Sequence, residues 1–193
     1  MNRRRELLGK TFGGGGGHGL PDEYQEVEWV QFENDSVVNS CIDTRIYENR
    51  ISYVETRAKA ITFGRHSYVG IVGTATGSVD HSATIKTNNT WNPIGWTLVD
   101  SDTYDDGSLY GLFAVGSWGS YVIFGAAIRG VNAWVNANCQ IYYIKLLDNT
   151  ETIIQEYYPC YRKSDGVIGF YDIINDTFRV NEGTGTLTKG ADV

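Results

Sequence analysis

The fold is decided by the stretch from Cys139 to Lys189, which reads CQIYYIKLLDNTETIIQEYYPCYRKSDGVIGFYDIINDTFRVNEGTGTLTK. It contains two runs rich in β-branched and aromatic residues, Ile141 to Leu147 and Thr152 to Tyr158, and a polar turn at residues 148–150 separates them. Two such runs around a short polar turn predict a β-hairpin. The stretch carries no catalytic arrangement of residues, and we interpret it as the closing strands of an antiparallel β-sandwich.

Proline and polar turn residues divide the rest of this stretch. Pro159 is expected to end the second strand, because proline has no backbone N–H to donate to a sheet. A polar turn follows at residues 162–166, and another lies at residues 175–176. The strands predicted around these turns are Val167 to Tyr171 and Thr177 to Val180.

The composition of the whole chain also favours strands. Of its 193 residues, 41% are hydrophobic and 13% are aromatic, which is enough to build a core, and its 23 glycines suit many tight turns. Alternating or apolar runs predict further strands at residues 26–32, 41–46, 51–59, 67–72, 82–86, 94–99, 109–115 and 121–126, the last two as a buried pair. Short strands about ten residues apart are typical of a single all-β sandwich or barrel.

The N-terminal residues differ in charge from the rest of the chain. The net charge of the whole chain is −7, which argues against a nucleic-acid-binding protein, whereas residues 1–12 are basic. We divide the chain into a basic attachment arm at 1–12, a Gly-rich linker at 13–19 and a folded domain at 20–193. So short an arm would bind nucleic acid or a membrane only weakly.

Docking to another protein therefore fits the arm best, because it offers both apolar and charged contacts. Its apolar anchors are Leu7, Leu8 and Phe12, and the arginines that would set its register are Arg3, Arg4 and Arg5. No apolar run in the sequence is long enough for a membrane-spanning helix. We expect a protein partner for the arm, and neither nucleic acid nor a membrane.

Carboxylates are present but do not form the pattern of an enzyme or a metal site. Glu26 and Glu28 alternate with apolar residues and are expected to face solvent, and the E-x-D-x-x-E string of sandwich glycosidases does not occur. We therefore expect no enzyme activity and no cofactor. A Ca²⁺ site in the acidic loop at residues 100–107 is less favoured than a solvated loop, because the spacing of a calcium-binding loop is missing. The acidic residues of that loop are Asp100, Asp102, Asp105 and Asp106.

Cysteine and histidine residues also lack the spacing of a metal or catalytic site. The three cysteines, Cys41, Cys139 and Cys160, are odd in number and form no C-x-x-C pattern. We expect buried free thiols rather than a disulfide framework. The histidines, at positions 18, 66 and 81, lie in unrelated contexts, and His18 is interpreted as a polar linker residue.

Tryptophans near glycine and asparagine turns are candidates for carbohydrate contacts. Flat aromatic rings can stack on sugars, and loops often carry binding residues. The candidate residues are Trp91, Trp96, Trp118 and Trp134. Burial at the ends of the sandwich is the favoured alternative, because tryptophan is highly buried on average.

Both ends of the predicted domain resemble a known family. The string IYYIKLLDNT…YYPCYRKSDGVIGFYDIINDTF…NEGTGTLTKG, between Ile141 and Gly190, resembles the C-terminal signature of a large group of tailed-phage structural domains with a concanavalin A/laminin G-like jelly roll. Leu20 to Val30 (LPDEYQEVEWV) and Cys41 to Arg45 (CIDTR) resemble the family patterns L-P-x-x-Y-x-x-V-E-W/Y-[IV] and Y-I-D-T-G. Arg45 stands where the family commonly has glycine, residues 33–37 replace its usual S-T-G-T-Q, and the middle of the chain carries no match.

The resemblance implies an antiparallel jelly-roll β-sandwich on a phage particle, with no catalytic residues. The short basic arm is most similar to head fibres or capsid-decorating proteins, as in crAss-like phages, because a fibre shaft would need repeats or heptads. We expect a structural virion protein, made in the bacterial host cytoplasm and located on the capsid surface. Its expected partners are capsid or other virion proteins and further copies of itself, as a dimer or trimer. The alternative is a carbohydrate-binding adhesion module of a phage tail or surface protein, with host or mucin glycans as ligands.

Overall fold

The computed structural model describes residues 17–33, 40–47, 50–63, 80–86, 97–101, 113–115, 121–124 and 137–193 of the chain. Thirteen β-strands lie within these residues. They are Tyr24–Glu26 (β1), Val30–Phe32 (β2), Ile42–Tyr47 (β3), Tyr53–Phe63 (β4), Asp80–Lys86 (β5), Thr97–Ser101 (β6), Phe113–Val115 (β7), Tyr121–Phe124 (β8), Ala137–Leu147 (β9), Ile153–Arg162 (β10), Ile168–Asp172 (β11), Thr177–Val180 (β12) and Leu187–Lys189 (β13). The strand pairings between them are antiparallel, and the prediction of an all-β antiparallel fold is confirmed.

The strands form two sheets. The larger has ten strands, in the order β12-β11-β10-β9-β4-β5-β6, with β1 paired to β10, β2 to β9 and β13 to β2. The smaller has three strands in the order β3-β8-β7. The predicted strand at residues 67–72 lies outside the described residues, whereas β7 and β8 pair with each other as expected from their apolar runs.

The β-hairpin predicted between Ile141 and Tyr158 is confirmed. Strands β9 and β10 pair from Leu147 opposite Ile153 to Ile144 opposite Tyr157. Asp148 holds the turn together, because its Oδ1 accepts hydrogen bonds from the backbone N–H groups of Thr150 and Thr152, at 2.8 and 3.0 Å. Hydrogen bonds from Thr150 and Thr152 lower the pKa of the Asp148 carboxyl. A short polar side chain of this kind is well suited to a turn.

Pro159 does not end its strand, and this expectation from the sequence was wrong. Strand β10 continues to Arg162 because its partner on one side changes: it pairs with β9 up to Tyr157 and with β1 from Cys160 onward. The carbonyl of Pro159 faces this change of partner, where it accepts a hydrogen bond from the N–H of Val27 at 3.0 Å. The N–H and C=O groups of one strand residue point to the same side of the strand. The position of the N–H that proline lacks therefore lies between the segment paired with β9 and the segment paired with β1, and its absence interrupts neither pairing.

A buried apolar cluster holds the two sheets together. Its members from the large sheet include Phe32, Ile144 and Phe170, and its members from the small sheet include Ile42 and Phe124. The remaining members are Val27, Val30, Ile46, Ile51, Val54, Cys139, Ile141, Leu146 and Tyr157. Because residues of both sheets share this cluster, the sheets pack face to face over one inner core.

A second cluster lies on the opposite face of the large sheet, and we call it the outer cluster. Its buried members are Leu20, Tyr158, Cys160 and Tyr171, and Tyr24, Tyr143, Ile173 and Phe178 pack against it. Tyr157 belongs to the inner core while Tyr158 belongs to the outer cluster, as the alternation of side chains along a strand requires. The chain that precedes β1 reaches this cluster through Leu20.

Arg45 occupies a backbone conformation that favours glycine. Arg45 has a φ of 57°, in the left-handed region that costs most residues about 1–2 kcal/mol. The N–H of Arg45 donates to Oδ1 of Asp43 at 2.7 Å, and its guanidinium contacts Glu182 at 3.2 Å. These contacts offset part of the backbone cost and explain how arginine is tolerated at this position.

Two further expectations are corrected by the pairing of the strands. Asp100 does not begin a loop: it lies in β6, opposite Thr84 of β5. Residues 26–32 form two short strands rather than one, since β1 ends at Glu26 and β2 begins at Val30. The alternation assumed across this segment is therefore broken, and Glu26 is buried instead of facing solvent.

Candidate functional site

Most of the sequence-predicted site residues lie outside the described part of the chain. These are Arg3, Arg4, Arg5, Leu7, Leu8 and Phe12 of the arm, the four candidate tryptophans Trp91, Trp96, Trp118 and Trp134, and Asp102, Asp105 and Asp106 of the acidic loop. Asp100 is placed in β6 by its backbone. Among the described residues, no group of three or more His, Cys, Asp or Glu side chains is arranged to hold a metal ion.

The prediction of free, buried thiols is confirmed. Cys41, Cys139 and Cys160 are all buried and unpaired as disulfides. Burial raises the pKa of the Cys41 thiol to about 11 and that of Cys139 to about 12. These thiols are therefore protonated at neutral pH and are poor nucleophiles.

One polar site joins the N-terminal segment to the outer cluster. We call residues 17–21 the N-terminal strap. The ring of His18 stacks on the ring of Tyr158, with 3.8 Å between ring centroids and 17° between ring planes. Its Nδ1 contacts Oε1 of Glu26, and its backbone N–H donates to Oε2 of the same carboxylate at 3.3 Å. His18 therefore contacts both carboxylate oxygens of Glu26, and we call this pair of residues the clasp.

Glu26 is buried because strand pairing and the strap enclose it. The residue is 3% exposed, and it stands opposite Cys160 in the β1–β10 register, so the two side chains share the outer face of the sheet. A buried carboxylate needs a charged or hydrogen-bonding partner. Among the described residues, His18 supplies the hydrogen bonds to both carboxylate oxygens, whereas the sequence had suggested only a polar linker residue there.

Polar contacts continue from Tyr158 across three strands of the large sheet. The Tyr158 hydroxyl donates to Oε1 of Glu156 at 2.7 Å, and Lys145 lies 3.8 Å from Glu156 and 3.0 Å from Glu55. Burial, followed by the hydrogen bond to Glu156, raises the pKa of Tyr158. Burial alone would lower the pKa of Lys145, but its hydrogen bond to Glu55 and the two carboxylate charges outweigh burial and raise it.

The combination of cysteine, histidine and glutamate at this site does not form a nucleophilic centre. Burial, and after it the charge of Glu26, raises the pKa of the Cys160 thiol, and the residue is 0% exposed. A reactive cysteine needs a lowered pKa and some access to solvent. The arrangement can fasten the strap to the sheet, and it offers no chemistry of bond cleavage.

A second polar arrangement lies near the end of the same sheet face, around Trp29. A Cβ added at Gly190 would lie 2.8 Å from Nε1 and 2.9 Å from Cε2 of Trp29, so the indole lies directly over this glycine. Next to it, Gln31 stands between Thr188 and Gln140 in the register of β13, β2 and β9. The Gln140 amide donates to Oε1 of Gln31 at 3.1 Å, which leaves further amide donors and acceptors of this pair unused among the described residues.

Neither arrangement was predicted from the sequence, because in each of them the residues in contact are not neighbours in the chain. His18 and Glu26 are eight residues apart in the chain, and the residues of the Trp29 arrangement come from three strands. The glycine after β13 is a sequence signal that could have indicated the Trp29 arrangement, whereas Glu26 lies among other polar residues and gives no such signal.

Comparison of this chain with protein-family models, with curated proteins and with solved structures finds no match. Within the described residues there is also no helix with the length and apolar character needed to cross a membrane.

Proposed function

We propose that this chain is a structural virion protein of a tailed bacteriophage, a head fibre or capsid decoration that is attached through its N-terminal arm. In this proposal residues 1–12 bind the capsid, residues 13–19 link the arm to the domain, and the domain is displayed on the capsid surface as a dimer or trimer. The fold proposed for residues 20–193 is a concanavalin A/laminin G-like jelly roll. A ten-stranded and a three-stranded antiparallel sheet over one core support that fold.

The single observation that carries the attachment role is the convergence of the N-terminal strap and the C-terminal residue on β1. In the strap, His18 contacts the Glu26 carboxylate. At the C-terminal end, the N–H of Val193 donates to the carbonyl of Glu26 at 3.1 Å, and the Gln25 amide donates to the carbonyl of Val193 at 3.1 Å. An arm that leaves the domain at this fixed place would leave the opposite end of the large sheet, at β6, available for display.

Binding to empty heads of the encoding phage tests this proposal. The full-length protein is compared with a chain that lacks residues 1–12 but keeps the linker and His18. We expect the deletion to abolish binding, and Arg4→Glu to weaken it in a salt-dependent way, because charged arm contacts are screened by salt. Lys163→Glu makes the same charge change on an exposed turn of the domain and is expected to leave binding unchanged. Equal binding with and without the arm would refute the attachment role.

A carbohydrate-binding module is the second candidate function, and the Trp29 arrangement favours it. A half-buried indole beside an amide pair offers a flat apolar surface next to hydrogen-bond donors and acceptors. Small-ligand sites combine these two features. The ligand class would be a neutral polyhydroxyl glycan of a host surface or of mucin.

A glycan array probed with the full-length protein tests this second candidate. Trp29→Ala and Gln31→Ala are expected to weaken binding of any retained glycan by at least about tenfold, equivalent to ~1.4 kcal/mol. Gln25→Ala, at an amide beside the C-terminus, serves as the matched control and should bind as the unchanged protein does. Loss of binding in Trp→Ala variants at 91, 96, 118 or 134, but not at 29, would place the glycan at those residues instead. An array without any retained glycan would remove the lectin role.

A further inference from the structure

The N-terminal strap lies on the outer cluster and is held there at two positions, Leu20 and His18. Leu20 is buried in the cluster with Tyr158 and Cys160, and His18 stacks on Tyr158 at the beginning of the strap. Residues 1–16 precede the strap in the chain. A force or a partner acting on those residues would therefore reach His18 before any residue of the sheets.

The contact between His18 and Glu26 has an electrostatic reason to be strong. The Glu26 side chain is only 4% exposed, whereas that of His18 is 45% exposed. An ionised carboxylate in such surroundings is costly unless it is paired. Without His18, both oxygens of the Glu26 carboxylate would lose these hydrogen bonds, and water would have to replace them.

Lifting the strap is the easiest way for water to reach Glu26. The strap precedes the first strand, so its movement breaks no strand pairing, while the sheet around Glu26 is held by β10 and by the C-terminal residues. Leu20 would leave the outer cluster as the strap lifts, and the thiol of Cys160 would lose part of its cover. Local opening of this kind belongs to the least stable parts of a domain.

We propose that His18 and Glu26 form a charge-dependent clasp that holds the N-terminal strap closed over the outer cluster and controls access to Cys160. Closure requires His18 because the buried charge of Glu26 has to be compensated. Removal of both members leaves a neutral pair, and the strap closes again through Leu20. The clasp thus differs from simple ring stacking, which would not depend on the charge at position 26. It acts within the domain, independently of what the arm binds.

Alkylation of the full-length protein with iodoacetamide, followed by peptide mapping of each cysteine, tests the clasp. Cys160 is expected to react slowly in the unchanged protein and at least tenfold faster in His18→Ala, with Cys41 and Cys139 unchanged. In the double variant His18→Ala/Glu26→Gln, the rate at Cys160 should return to within about twofold of the original, since a neutral buried amide costs less than a charge. Leu20→Ala, which loosens the apolar hold of the strap, is the positive control for opening.

Three results would overturn the proposal. An unchanged rate at Cys160 in His18→Ala, with Leu20→Ala faster, would show that His18 does not hold the strap. Equal rates in the single and double variants would show that packing, and not charge, closes it. A parallel rise at all three cysteines would assign His18 to the stability of the whole domain instead of a local clasp.

Discussion

Replacing Gly169 by alanine is expected to destabilise the domain strongly. A Cβ at this position would lie 2.1 Å from the carbonyl oxygen of Arg179 and 2.9 Å from Cε2 of Phe178. Overpacking usually costs about 1–3 kcal/mol because side chains can shift. Here the nearest obstacle is the backbone of β12, which pairs with β11 at this point. We expect a loss of more than about 3 kcal/mol in the free energy of unfolding, a large share of the stability of a typical domain.

Urea unfolding followed by tryptophan fluorescence measures this loss, and two other glycines provide the controls. Gly17→Ala should be neutral, because nothing lies within 4 Å of the added Cβ. Gly166 also has open space around it but a φ of 73°, so Gly166→Ala should cost about 1 kcal/mol through backbone strain alone. A Gly169→Ala protein as stable as Gly17→Ala would show that β11 and β12 do not pack as closely as described.

Truncation of Phe170 should have the second largest effect, because this side chain joins the two sheets. Its ring lies 5.9 Å from the ring of Phe32 in the large sheet and 5.2 Å from that of Phe124 in the small sheet, and it is 0% exposed. Phe170→Ala therefore removes contacts with both sheets and leaves a cavity between them. Core Phe→Ala substitutions cost about 3–5 kcal/mol, and we expect a loss in this range.

Chemical denaturation of Phe178→Ala provides the matched comparison. Phe178 lies on the neighbouring strand β12 but on the outer face, where it is only partly buried and contacts Tyr24. We expect less than half of the loss found for Phe170→Ala, since the removed ring is already in contact with water. Phe170→Leu, which keeps most of the apolar volume, should cost less than Phe170→Ala. Equal losses for Phe170→Ala and Phe178→Ala would contradict an inner core that both sheets share.

The strand pattern near the C-terminus was predictable because it depends on neighbouring residues. The Asp148 turn and the runs on either side of it lie within about twenty residues, and alternation plus turn chemistry predicts such a hairpin. The burial of the three cysteines followed from their residue type. The prediction for Pro159 failed because a strand can continue through proline where its partner changes, and the partner is set by β1 and β9 from distant parts of the chain.

The candidate site was less predictable than the fold. Glu26 was expected to face solvent because its neighbours alternate, but β1 ends at this residue and the strap encloses it. His18 was interpreted as a polar linker residue because a short polar and glycine-rich segment has no internal pattern. Contact between them depends on the path of the strap over β10, which no local rule specifies.

The sequence by itself determined that this protein is an all-β chain with antiparallel hairpins, because side-chain alternation and turn residues act over a few positions. The tertiary structure decided which strands share partners, which carboxylate is buried and where the N-terminal strap and the C-terminal residue contact β1. Those outcomes depend on contacts between residues far apart in the chain, such as His18 with Tyr158 and Glu26 with Val193. Burial determines which contacts a charged side chain must make, because a charge that is solvated in water needs a charged or hydrogen-bonding partner inside a protein.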